Sequence, residues 1–173
     1  MSRLDDLDRI SEALDAAVVA LVPFIPGAIE ATMKQGDDPV TAADLAVNDV
    51  LLDLLPQPGE GWLFEETADS ADRLGQERVW IVDPIDATRE FVQGIPEWSV
   101  SIGLIEHGEP VAGGVCNPAT RERIIGSIET GVRYTGHRPV TAATSLDEAI
   151  VLASRTEVGR GEWNRFADEP FTI

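Results

Sequence analysis

The sequence predicts an α+β domain, two helices packed on an antiparallel sheet, and three observations carry the prediction. Apolar residues recur at helical spacing in two segments near the N-terminus. From Trp98 onward the pattern changes to short apolar runs broken by turn residues. Helices followed by a strand meander, rather than alternating with strands, is the order of an α+β layer arrangement.

The first helix is expected over Ser2 to Val22, where Leu4, Leu7, Ile10, Leu14, Ala17, Val18 and Leu21 fall at helical intervals among Asp and Glu. Pro23 and Pro26 end it. A second helix is expected over TAADLAVNDVLLDLL, with Leu45, Val47, Val50, Leu51, Leu54 and Leu55 on or beside its apolar stripe and Pro56, Pro58 and Gly59 closing it. Trp62-Leu63-Phe64 reads as a buried strand running into Glu65-Glu66, and RVWIVDPID as a strand of the same form, followed by a helix starting near Ala87. WSVSIGLIEHGEPVAGGVCNP holds two strands joined at His107-Gly108-Glu109, and RERIIGSI with GVRYTG suggests a further hairpin. A last strand, AIVLASR, begins near Ala149. The expected organisation is a domain over residues 1–143 and the start of a second over 144–173.

The chain has 173 residues, enough to bury a real core. Its 31 acidic and 13 basic side chains give a formal charge of −18. Nucleic-acid polymers and anionic membranes are therefore not expected partners, because most of the surface would repel them. The single cysteine, Cys116, excludes an internal disulfide and reads as a small buried hydrophobe, and His107 and His137 are too isolated for a zinc site. The N-terminus has no basic start followed by an apolar run, so the expected location is cytoplasmic.

The acidity becomes informative where carboxylates converge. Taken singly, an Asp after a strand is a turn residue and a Glu pair is a solvated edge. In WIVDPIDATREF, however, Asp83 and Asp86 bracket Pro84-Ile85, and the proline stiffens the backbone so that both carboxylates and the Ile85 carbonyl can point to one side. Oxygen donors at that density suit a hard divalent cation, Mg²⁺ before Zn²⁺. Without a cation such crowding is costly, since like charges oppose one another's ionisation. Glu65 and Glu66 end a neighbouring strand, Asp44 lies near the start of the second helix, and Thr88 sits in the first turn after Asp86. Backbone N–H groups at a helix start favour phosphate.

These residues resemble the inositol monophosphatase family of Mg²⁺-dependent, lithium-sensitive phosphatases. WIVDPIDATREF resembles its signature W-x-x-D-P-[IL]-D-G-T-x-x-F. PVTAAD resembles its V-T-x-x-D, FEET its G-E-E, and PEWSVSIGLIEHGEPVAGGVCNP the strands that follow. The resemblance implies the N-terminal half of a layered αβαβα sugar-phosphatase fold, with the C-terminal α/β half largely missing. It implies two or three Mg²⁺ per site: Glu65, Asp83 and the Ile85 carbonyl would bind the first, Asp83 and Asp86 would share the second, and Glu65 would help hold a weaker third. Thr88, hydrogen-bonded to Asp44, would orient and deprotonate a water, with Ala87 and Thr88 holding the phosphate, Glu66 supporting the ligands and Lys34 approaching the water network. The implied activity is hydrolysis of a small phosphate monoester, inositol-phosphate-like, by a homodimer. Arg89-Glu90 instead resembles the 3′(2′),5′-bisphosphate nucleotidases, while FVQGIPEWSVSIGL resembles the inositol monophosphatase and histidinol-phosphatase branches. A truncated, non-catalytic metal- or phosphate-binding relative is a further reading. Two departures stand out: Ala87 and Phe64 occupy positions where the family has glycine.

Overall fold

The structure is a computed structural model that describes residues 2–33, 39–64, 71–136 and 143–172. The chain divides into two compact units, residues 1–137 and 138–173. The first unit contains, in chain order, α1 (Arg3–Leu21), β1 (Ala31–Met33), β2 (Pro39–Thr41), α2 (Ala42–Leu54), β3 (Glu60–Phe64), β4 (Arg78–Asp86), α3 (Thr88–Gln93), β5 (Ser99–Glu106), β6 (Glu109–Asn117), β7 (Glu122–Ser127) and β8 (Gly131–Thr135).

Both long helices begin on a sequence-encoded device. Ser2 accepts from the Asp5 amide while Asp5 accepts from the Ser2 amide, and Thr41 and Asp44 repeat that capping box at the start of α2. The buried face of α1 is Leu7, Ile10, Ala13, Leu14, Ala17 and Leu21, close to expectation. For α2 the phase differs: Ala43, Val47 and Leu51 face the core, with Leu55 just beyond the helix, whereas Leu45 and Leu54 are exposed. At 100° per residue Leu45 cannot share a face with the 43–47–51 line, and the small Ala43 let the larger leucines dominate the sequence reading.

Strands β3 to β8 form one sheet in sequence order. Every neighbouring pair is antiparallel except β3 and β4, which are parallel. The expected antiparallel sheet is thus corrected to a mixed one. A parallel pair needs a crossover between its strands, and its described part carries a 3-10 turn at Ala71–Gly75. The consequence is that β3 and β4 end at the same edge, with Phe64 beside Val82. The turn between β5 and β6 is the pair His107-Gly108, both with positive φ, the conformation that matches strand twist in a two-residue hairpin.

One sheet face packs on the helices. Trp80, Val82, Val100, Ile102, Leu104 and Cys116 meet the apolar faces of α1 and α2 in a single core, and burial raises the pKa of the Cys116 thiol. Helix α1 lies so close to β6 that a Cβ built on Gly114 would meet Ile10 Cγ2 at 2.6 Å. Strand β3, expected to be buried, is an edge strand whose Trp62 and Leu63 are only partly covered.

The second unit does not form the expected strand at Ala149. Ile150 makes one isolated bridge to Thr172, with hydrogen bonds from the Val151 amide to the Thr172 carbonyl and from the Thr172 amide to Ala149. Leu152 beyond it is 95% exposed. A strand needs a ladder along its length, and the described residues of this unit offer only that short partner. Its described residues also form α4 (Arg155–Gly159), 3-10 turns at Leu146–Glu148 and Asn164–Phe166, and an aromatic cluster of Trp163, Phe166 and Phe171 with Arg165 stacked on Phe166.

Candidate active site

The two aspartates of the D-P-I-D stretch end β4, and a β-bulge decides where they point. Asp83 pairs with Ser101 and Asp86 with Ser99, so three steps along β4 match two along β5. Ser99 and Ser101 lie two apart on one face of β5. Asp83 and Asp86, whose odd spacing would put them on opposite faces of a regular strand, therefore share a face. The sequence signal was Pro84, because proline inside a paired strand marks an irregularity.

After the bulge the chain turns at Ala87 into α3. Ala87 has φ +72° and ψ +51°, a left-handed conformation that costs a residue with a Cβ about 1–2 kcal/mol. Its carbonyl accepts from the Glu90 and Phe91 amides, and the residue packs partly buried against the core. At its other end α3 is clamped: the Gly27 amide donates to the Phe91 carbonyl at 3.0 Å, and a Cβ on either Gly27 or Gly94 would press on the other's backbone at 3.2–3.3 Å. Phe91 stands edge-on to Trp98, with ring centroids 4.8 Å apart.

That anchoring sets Thr88 over the start of α2. The Thr88 hydroxyl lies 2.8 Å from the Ile85 carbonyl and 3.3 Å from Asp44 Oδ1. Asp44 Oδ2 meanwhile accepts from the Thr41 amide at 2.8 Å and the Thr41 hydroxyl at 2.7 Å. One carboxylate oxygen caps the helix and the other faces Thr88. Burial raises the Asp44 pKa, partly opposed by the bonds from Thr41 and Thr88. Only 1% of Asp44 is exposed, and a buried carboxyl with a raised pKa is a better base once ionised.

The structure thus brings together Asp44, Thr88 and the Ile85 carbonyl, and places Asp83 and Asp86 on one face of the adjoining strand. Lys34, Glu65 and Glu66 lie outside the described residues. Among the described residues no three Asp, Glu, His or Cys side chains form a group that could hold a metal ion. The donors present, two carboxylates and a carbonyl, are all hard oxygens and fit a hard divalent cation as part of a ligand set. The Ile85 carbonyl has a second lone pair beyond the one facing Thr88.

The opposite end of β4 carries a constellation that sequence reading missed. Arg78 donates to Asp6 at 2.5 Å, to Glu60 at 2.8 Å and to Glu106 at 2.7 Å. Arg3 bridges Asp6 and Glu106, and Arg9 pairs with Glu60 while stacking 4.9 Å over Trp80. Burial works to raise the Glu60 pKa, but hydrogen bonds from Arg9, Trp80, the Gln57 amide and Arg78 hold it down at about 2. Its members lie far apart in the chain, and no local pattern announces it.

The family model for the inositol monophosphatase family matches residues 10–169. The chain belongs to the inositol monophosphatase family. Among curated relatives, the 3′(2′),5′-bisphosphate nucleotidase CysQ of Salmonella typhimurium is 38% identical over 120 residues, covering 66% of this chain and 49% of its own length. The histidinol-phosphatase of Mycobacterium tuberculosis is 46% identical over 87 residues, covering 49% of this chain and 33% of its own length. Among solved structures, the Thermotoga maritima IMPase superposes with a TM-score of 0.75 at 27% identity, over 97% of this chain and 65% of that one. This inositol monophosphatase family chain thus spans half or less of the length of those curated relatives. Among the described residues no helix is long and apolar enough to cross a membrane.

Proposed function

We propose that the chain carries the metal- and phosphate-binding part of a Mg²⁺-dependent hydrolase of small phosphate monoesters. The observation that carries this reading is the Thr88 hydroxyl set between buried Asp44 and the Ile85 carbonyl, beside Asp83 and Asp86 on one face. Glu65, Asp83, the Ile85 carbonyl and Asp86 are the proposed Mg²⁺ ligands, Ala87 and Thr88 hold the phosphate, and Glu66 supports the ligand set. Bound Mg²⁺ supplies Lewis acidity that makes a water nucleophilic and offsets charge on phosphorus.

The protein's own part is a proton relay. Thr88 Oγ1 has one proton and two acceptors, the Ile85 carbonyl and Asp44 Oδ1. With the Ile85 carbonyl engaged elsewhere, that proton turns to Asp44. Thr88 can then accept a proton from the attacking water while passing its own to the carboxylate. Asp44 must be ionised to receive it, so activity should fall as pH drops through its raised pKa.

The proposed substrate is an inositol-phosphate-like monoester, handled by a cytoplasmic homodimer. A bisphosphate nucleotide is the second reading, favoured by Arg89-Glu90 directly after Thr88 and by the likeness to CysQ. The test is phosphate release from inositol 1-phosphate and from adenosine 3′,5′-bisphosphate, with and without Mg²⁺, for the chain and for Thr88→Ala. Mg²⁺-dependent release abolished in the variant supports the reading, and the preferred ester decides between substrates. Failure to release phosphate, combined with no Mg²⁺-induced rise in Tm, would sink both the catalytic and the metal-binding readings.

A further inference from the structure

Helix α1 packs on β5, β6 and β7, and β8 lies one strand further out. The inner face of β8 therefore makes a ledge beside the helix. Arg123 is in register with Thr135 and Ile125 with Arg133, so all four point to one face of the sheet. It is the face on which α1 lies, because Ile125 packs against the core. Between these strands and the Leu7, Asp8 and Ser11 side of α1 is a cavity of about 240 Å³. That is below the roughly 300–1,000 Å³ of pockets for drug-sized ligands, so its occupant is small.

The charges around this cavity are unevenly matched. Arg123 is engaged, donating to Asp15 on the next turn of α1 at 2.5 Å. Asp8 and Arg133 are exposed, and among the described residues neither side chain makes a hydrogen bond or an ion pair, with the other or with any third group. In a chain with 31 acidic and 13 basic side chains, an arginine that meets no acid stands out. The hydroxyls of Ser11 and Thr135 line the same cavity and are equally unspent among the described residues. Leu7, 4% exposed, and Ile125, partly buried, supply an apolar floor. Water solvates a lone surface charge well, but two opposite charges that line one cavity without closing on each other leave room for a molecule carrying the complement of both.

We propose that the cavity between α1 and the β7–β8 edge binds a small free α-amino acid. Its carboxylate meets the Arg133 guanidinium fork and the hydroxyls of Ser11 and Thr135, its ammonium meets Asp8, and its side chain rests on Leu7 and Ile125. A plain anion would gain Arg133 but face Asp8 and Asp15, and a plain cation would gain Asp8 but face two arginines. A zwitterion satisfies both charges at once, and being neutral overall it is not repelled by a chain of net charge −18. The site uses α1, β7 and β8, whereas Asp44, Asp83 and Thr88 belong to α2, β4 and α3, so it does not depend on the phosphatase reading.

NMR chemical-shift titration of the isotope-labelled full chain with L-alanine, L-valine and L-leucine tests it. N-acetyl-L-valine lacks the positive charge, L-valinamide lacks the negative one, and inorganic phosphate is an anion alone. Arg133→Gln and Asp8→Asn, both at exposed positions, are checked for fold by Tm, and Asp53→Asn removes the same charge as Asp8→Asn from the exposed side of α2. The expected result is saturable binding of at least one amino acid with a Kd of about 1 mM, its shifted amides lying at Leu7, Asp8, Ser11 and along the paired ends of β7 and β8. Binding should weaken about ten-fold in Arg133→Gln and in Asp8→Asn, as a charge-assisted hydrogen bond is lost, and should be unchanged in Asp53→Asn. Four results would each overturn the proposal: no saturation at concentrations about ten times that Kd, shifts confined to other residues, binding retained in both variants, or phosphate, N-acetyl-L-valine or L-valinamide binding as tightly as the amino acid.

Discussion

The two ends of β4 treat carboxylates in opposite ways. At the Arg78 end, Asp6, Glu60 and Glu106 each accept from a guanidinium. At the Asp83–Thr88 end, Asp44 is buried as deeply as Asp6, yet it accepts from the Thr41 amide and two hydroxyls. The outcome for acidity is reversed: Glu60 falls to about 2 while Asp44 rises. Burial pushes both upward; at Glu60 hydrogen bonds from Arg9, Trp80, the Gln57 amide and Arg78 overturn it, and at Asp44 those from Thr41 and Thr88 do not. One end of the strand sets its carboxylates among arginines; the other is the end where the proposed cation would bind.

The sharpest way to break this contrast is to remove the internal cation. Arg78→Ala leaves Asp6 buried beside one arginine fewer and should cost about 3–5 kcal/mol, measured by urea denaturation, because a buried charge has lost its partner. A loss below about 1 kcal/mol would mean water already serves that end.

Acid titration of stability separates the two ends next. The folded pKa of Glu60 lies below its ordinary value of 4.5. Its contribution is therefore full above that value and is lost as pH falls toward 2, and Glu60→Gln should flatten that limb of the denaturation profile. Asp44 has the opposite sign: its folded pKa is raised above 3.8. The unfolded chain releases that proton first, so Asp44 opposes folding progressively as pH rises above 3.8. Asp44→Asn should gain stability relative to wild type over the same rise. Parallel profiles for the two variants would contradict the contrast.

Cation binding is the third handle. Mg²⁺ should raise the Tm of the wild type through linkage, by an amount set by RT ln(1 + [Mg²⁺]/Kd), and Asp83→Asn should abolish the shift. Asp86→Asn should also reduce it while changing stability without Mg²⁺ by no more than about 0.5 kcal/mol, since Asp86 is exposed. A Tm rise unaltered in both would place the cation elsewhere.

The smallest expected effect is at Ala87. Glycine adopts its φ of +72° without the steric penalty of a Cβ, so Ala87→Gly should stabilise the fold by about 0.5–1 kcal/mol by thermal unfolding. A destabilised variant would show that the packing of the Ala87 methyl outweighs the strain.

Much of this was legible because the signals are local. The two long helices read directly from apolar spacing, as do the His107-Gly108 turn and the strand ending in Asp83-Pro84-Ile85-Asp86. Readings that depended on which partner a segment meets went differently. The α2 stripe shifted off Leu45 and Leu54, Ala149 onward lacked a ladder, and β3 joined β4 in parallel. The Arg78 network escaped notice because its acids come from α1, β3 and β5.

The sequence by itself determined the two long helices, most strands of the first unit, the family and the residue types that a metal-assisted hydrolase would use, because helical periodicity, turns and oxygen-rich spacing act within a few residues. Only the tertiary structure decided which carboxylates are answered. It set Arg78 among three acids, used a bulge to turn Asp83 and Asp86 to one side, and brought α3 against α2 so that Thr88 meets Asp44. Those outcomes depend on register, burial and distance between chain-remote groups, and the electrostatics of a carboxylate are fixed by that surrounding rather than by its place in the chain.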